Sequence, residues 1–140
     1  MKATELRIGN FTQQGVVVEI TRCIKDSFRV WNDGQLKSFR DDEVAPILLT
    51  EEWHNKFGVE MKFKHFTYKL PIIKNIEISI IHDLDYVYLR QRNDNHPMND
   101  SIISIWNRDL VKRDMYVHEW QNLYFALTGA ELKLKEVENE

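Results

Sequence analysis

The densest group of reactive side chains is His82-Asp83-Leu84-Asp85, an imidazole and two carboxylates within four residues. Imidazole and carboxylate are ordinary ligands for zinc or manganese. The same residues suit a strand that ends in an acidic turn, where aspartate bonds its own backbone, and that is the reading adopted. Asp94, His96 and Asp100 belong to a polar loop and are read the same way. The chain contains no HExxH, no paired CxxC and no zinc-finger spacing, so no metal is expected. It also lacks a Walker loop, a GxGxxG turn and a GxSxG elbow. Neither a cofactor nor an enzymatic activity is therefore expected. Cys23, the sole cysteine, is read as a small buried hydrophobe and rules out an intrachain disulfide.

Binding chemistry has better candidates. Basic and aromatic residues interleave from Lys62 to Lys69, with Lys62, Lys64, Tyr68 and Lys69 as the residues that would grip a nucleic acid. Rings stack on bases while lysines hold phosphates. Arg90 and Arg92, on a neighbouring strand, would have to extend the same face. Lysine on a solvent-facing strand also has a simpler use, protecting a sheet edge from pairing. On the last helix, His118, Gln121 and Asn122 are polar residues that packing alone does not require. They are candidate contacts for a ligand, or ties to a neighbouring loop.

Composition narrows these options. The chain has 140 residues, enough for one domain with its own core. Its net charge of −3 is spread along the sequence, which disfavours affinity built on coating phosphates. Glu5 and Arg7 interrupt the region where a signal peptide needs an apolar run, and no apolar stretch approaches a membrane span. A cytoplasmic protein is expected, with no membrane association.

The elements that would position these residues follow from turn chemistry and periodicity. Residues 1–48 read as a β-rich unit, SH3-like or a partial barrel, with incorporation into one larger sheet as the competing picture. Asp33-Gly34 is the strongest hairpin signal, because both central residues of a type I′ turn need positive φ. A two-residue loop there sets Phe28 opposite Phe39. Residues 49–58 form a linking helix, with Thr50 as N-cap, Trp53 and Phe57 on one face and Gly58 as the stop. Residues 59–140 are expected to form an antiparallel sheet, with a turn or bulge at the Lys64-His65 phase break, and a C-terminal helix packed on that sheet. That helix spans Tyr116 to Leu127, with Asp114 as N-cap, an apolar stripe of Tyr116, Trp120, Leu123 and Leu127, and a stop at Gly129. Leu132 and Leu134 suggest a short final strand. The fold class is α+β.

Three stretches carry a resemblance. They are Glu5-Leu6-Arg7-Ile8-Gly9-Asn10; Pro46-Ile47 with Leu49-Thr50-Glu51-Glu52-Trp53 and Lys56-Phe57-Gly58; and Tyr116-Val117-His118 with Gln121 to Gly129 and Glu131-Leu132. In order and spacing the chain resembles small uncharacterised proteins of phages and prophages from Bacteroidetes-type bacteria. It departs from them at Leu48 and Trp120, and residues 60–112 show no match. The resemblance implies a phage or prophage origin, a bacterial host cytoplasm and a shared scaffold, but no functional residues. The expectation is a non-enzymatic accessory protein acting on another protein, host or phage, with inhibition of a host defence protein among such roles. The alternative is a nucleic-acid-binding module using Lys62–Lys69.

Overall fold

The computed structural model describes residues 5–22, 26–69, 76–83, 85–93 and 101–135. Cys23 and the Asp94–Asp100 loop lie outside the described residues. The chain is α+β, with two four-stranded antiparallel sheets. It divides into two units. One comprises the chain up to Leu49 together with Met115–Leu132; the other comprises Thr50–Asp114 and the residues from Lys133. No described helix is long and apolar enough to cross a membrane.

The first unit is a meander of β1 (Phe11–Thr12), β2 (Gly15–Arg22), β3 (Asp26–Asn32) and β4 (Gln35–Arg40). The β3–β4 hairpin turns on Asp33 and Gly34, with φ of 49° and 74°, and Phe28 pairs with Phe39 as the turn chemistry predicts. A 3-10 turn (Asp41–Glu43) follows. The chain then returns to β1: the Gln13 N–H donates to the Ala45 carbonyl at 3.0 Å, and the Ala45 N–H to Gln14 Oε1 at 2.7 Å. The meander is a four-stranded sheet of its own, not part of one larger sheet. Leu6, Val17, Phe28, Val30 and Val44 form its buried core.

The terminal helix, α3 (Val117–Thr128), ends at Gly129 with φ of 72°. It groups with this first unit, not with the second sheet as the sequence suggested. The chain entering it is bonded to residues 47–49: the Val117 N–H donates to the Ile47 carbonyl and the Leu49 N–H to the Met115 carbonyl. Its N-cap is Tyr116, whose N–H donates to the Glu119 carboxylate at 3.0 Å; Asp114 instead pairs with Arg108. The buried residues are Val117, His118, Trp120 and Gln121, while Leu127 is partly exposed. The buried face is thus rotated from the apolar stripe toward two polar residues.

The second unit holds α1 (Glu51–Lys56), β5 (Phe66–Lys69), β6 (Ile76–His82), β7 (Tyr86–Asn93), β8 (Ser101–Asn107) and the one-turn α2 (Arg108–Val111), its strands in the order β5-β6-β7-β8. Thr50 is the N-cap of α1, but its hydroxyl makes no capping bond; its carbonyl accepts from the Trp53 and His54 N–H groups. Ser79, Ile80, Ile81 and His82 are all buried, so the end of β6 is covered on both faces rather than one. Residues 131–135 form no strand; the Lys135 N–H donates instead to the Lys56 carbonyl.

Candidate functional site

The Lys62–Lys69 stretch is not one strand. Lys62 and His65 exchange both backbone hydrogen bonds at 2.9 Å, and between them Phe63 and Lys64 take φ of 53° and 67°. This is the two-residue hairpin geometry that normally selects Asn-Gly. Its tip is a phenylalanine 93% exposed, flanked by exposed lysines. β5 begins only at Phe66, which accounts for the phase break expected at Lys64-His65.

Tyr68 faces inward. Its hydroxyl lies 2.7 Å from His54 Nδ1, and His54 Nε2 lies 2.7 Å from His82 Nδ1. The His54 ring stacks on Phe66, with centroids 3.9 Å apart. All four residues are buried. Burial first, and then the neighbouring His82, lower the His54 pKa to about 3; burial lowers that of His82 to about 4 although Asp83 opposes it. Both imidazoles are therefore neutral at physiological pH, and Tyr68 has no face to offer a base.

Strand pairing sorts the remaining cations. Lys69 pairs with Ser79, Ser79 with Arg90, and Arg90 with Ile102. Cross-strand partners share a face, so Lys69 and Arg90 lie on one side of the sheet and Tyr68 on the other. Arg92, two residues along, shares the side of Arg90. An open groove of about 730 Å³ next to the turn is lined by Glu51 and Glu60 as well as Lys62 and Lys135, so its field is mixed in sign. Asp83 makes the turn its type predicts: its Oδ1 accepts the Asp85 and Tyr86 N–H groups. Among the described residues no cluster of histidine, cysteine and carboxylate side chains is placed to hold a metal.

The polar residues of α3 serve the first unit internally. Gln121 Oε1 accepts the Phe11 N–H at 2.9 Å and its Nε2 donates to the Gly9 carbonyl at 3.1 Å. Asn122 Nδ2 donates to the Glu5 carbonyl, while its Oδ1 accepts from Asn10 Nδ2 and from Arg7. Arg7 also pairs with Glu131 and lies 3.8 Å over the Phe125 ring. His118 is buried, with its ring stacked on Tyr116. Thus residues 5–11 are tied to Gln121, Asn122, Phe125 and Glu131.

The surface that sequence reasoning missed is the outer edge of the second sheet. β8 is last in the strand order, and among the described residues nothing pairs with its outer side. Its sequence, Ser101-Ile102-Ile103-Ser104-Ile105-Trp106-Asn107, carries no charge. Ile102 and Ile103 are 64% and 61% exposed, and Leu110 on α2 is 83% exposed. The other strands at the ends of the sheet orders are treated differently. β4 carries Lys37 and Arg40, β5 has only four residues and ends in Lys69, and β1 has only two. Charge and shortness are the usual protections of an edge, and β8 has neither. The signal was in the sequence, as an uncharged apolar strand, but its position at an edge was not.

No protein-family model, curated protein or solved structure matches the chain.

Proposed function

We propose that this chain is a non-enzymatic, phage-derived accessory protein of the bacterial cytoplasm that acts by binding another protein, and that β8 is its contact strand. The open, uncharged edge of β8 carries the reading. An exposed edge offers a row of backbone donors and acceptors to an added strand, and its outward side chains supply specificity. Ile102, Ile103, Leu110 and Val111 give this region the exposed apolar character of interaction sites. The phage origin rests on the resemblance of the three stretches alone, and inhibition of a host defence protein is one role it would allow.

Capture from lysate of a Bacteroidetes-type host tests the reading. A specific partner retained by the native chain and lost with Ile103→Lys supports it. Equal retention by both, or none by either with the folded bait held at low density so that β8 is free, sinks it.

The second reading, nucleic-acid binding, draws support from the Lys69–Arg90 face with Arg92 beside it. The inward Tyr68 and the acidic groove wall weigh against it. Failure to bind single- or double-stranded oligonucleotides at low salt would remove it.

A further inference from the structure

We infer that β8 pairs with β8 of a second copy, joining two four-stranded sheets into one continuous eight-stranded sheet. This rests on the reading of β8 as the contact strand and names its first occupant.

Three observations favour a second copy. The first is an unfinished row of core residues. Tyr68 pairs with Ile80, Ile80 with Leu89 and Leu89 with Ile103, so the four share one face. Tyr68 and Ile80 are buried, Leu89 is half-buried and Ile103 is 61% exposed. The core face therefore runs off the sheet at Ile103, and one more strand with an apolar residue at that position would complete it.

The second is register. A two-fold axis perpendicular to a sheet pairs antiparallel edge strands without exchanging their faces, so residues of like parity must meet. Centring it on Ile103 sets Ile103 against its own copy and extends the row. Ile102 then meets Ser104, and Ser101 meets Ile105. The pairing of Val87 with Trp106 and of Tyr88 with Ser104 makes Ile105 an extra residue, a bulge that limits the regular edge to Ser101–Ser104. That regular segment contains the centre and most of the pairs.

The third is charge. Self-pairing sets every charge on an edge near its own kind, and like charges opposite each other destabilise a strand pair. β8 has none to oppose. The same operation on β4 would bring Lys37 and Arg40 near their copies.

Sedimentation of the purified chain across a wide concentration range is the direct test. Expected is a reversible dimer at twice the chain mass. Ile103→Lys shifts it to monomer, whereas Ser38→Lys on exposed β4 leaves the dimer unchanged. Ile103→Cys in a Cys23→Ser background forms an intermolecular disulfide under mild oxidation, with circular dichroism confirming the fold of each variant. A monomer at all concentrations overturns the inference, as does a dimer indifferent to Ile103→Lys. A monomeric native chain that still captures a partner lost with Ile103→Lys would overturn the dimer alone and leave the proposed function standing.

Discussion

His54 Nε2 and His82 Nδ1 lie 2.7 Å apart in the second unit, both rings buried, and only one of the two nitrogens can carry the shared proton. The geometry requires a neutral acceptor, and burial holds both imidazoles neutral.

This pairing sets a pH dependence. Both folded-state values lie below the ordinary histidine value of about 6.5, so the unfolded chain binds more protons than the folded one. Stability from the pair is complete above about pH 6.5 and falls as pH drops toward the folded values of about 4 and about 3. Each histidine contributes a slope of up to about 1.4 kcal/mol per pH unit in that window. Chemical denaturation from neutral to mildly acidic pH should reveal the loss. His82→Gln, which hydrogen-bonds but cannot take up the proton, should flatten the slope; an unchanged slope would contradict the assignment.

Gln121 should behave as a structural residue. Gln121→Ala removes the bonds to the half-buried Phe11 N–H and Gly9 carbonyl and should cost about 1–2 kcal/mol. Denaturation of the first unit measures this. A loss of partner capture with stability unchanged would instead make Gln121 a contact residue.

Gly15 admits no side chain. Its φ is 137°, and a Cβ would lie 2.4 Å from the Trp31 carbonyl oxygen. Gly15→Ala should destabilise the β2–β3 pairing by several kcal/mol, on the order of other strained or overpacked sites. A melting temperature within error of the native value would refute this.

Phe63 occupies a left-handed position that costs an L-residue about 1–2 kcal/mol. Its side chain is in solvent, so Phe63→Gly removes strain and little packing. The variant should be stabilised by about 1 kcal/mol net of the glycine entropy cost. Phe63→Ala keeps the positive φ and should show no such gain; equal effects of the two would place the cost in the exposed ring instead.

Much of this molecule was legible locally. Asp33-Gly34 specified its turn and therefore the Phe28–Phe39 pair, because turn type and register follow from adjacent residues. Gly129 ended α3 for the same reason. The turn or bulge expected at the Lys64-His65 phase break is there, one residue earlier, as a two-residue turn on Phe63-Lys64. Neither residue prefers positive φ, so the phase break marked the turn but left open whether it was a turn or a bulge.

What tertiary structure decided depends on residues far apart in sequence. Gln121 and Asn122 looked available because their partners, residues 5–11, lie more than a hundred positions away. The same contacts turn the buried face of α3 toward polar side chains and set the helix in the first unit. Tyr68 was withdrawn from the surface by His54 and His82. The edge at β8 was created by strand order alone. The sequence determined most of the strands, turns and helices, since backbone preference is a property of neighbours, although the strand expected at Leu132–Leu134 does not form and the one-turn α2 was not foreseen. Which of their faces and edges remain open was settled only by long-range pairing, because exposure belongs to the assembled sheet and not to any one strand.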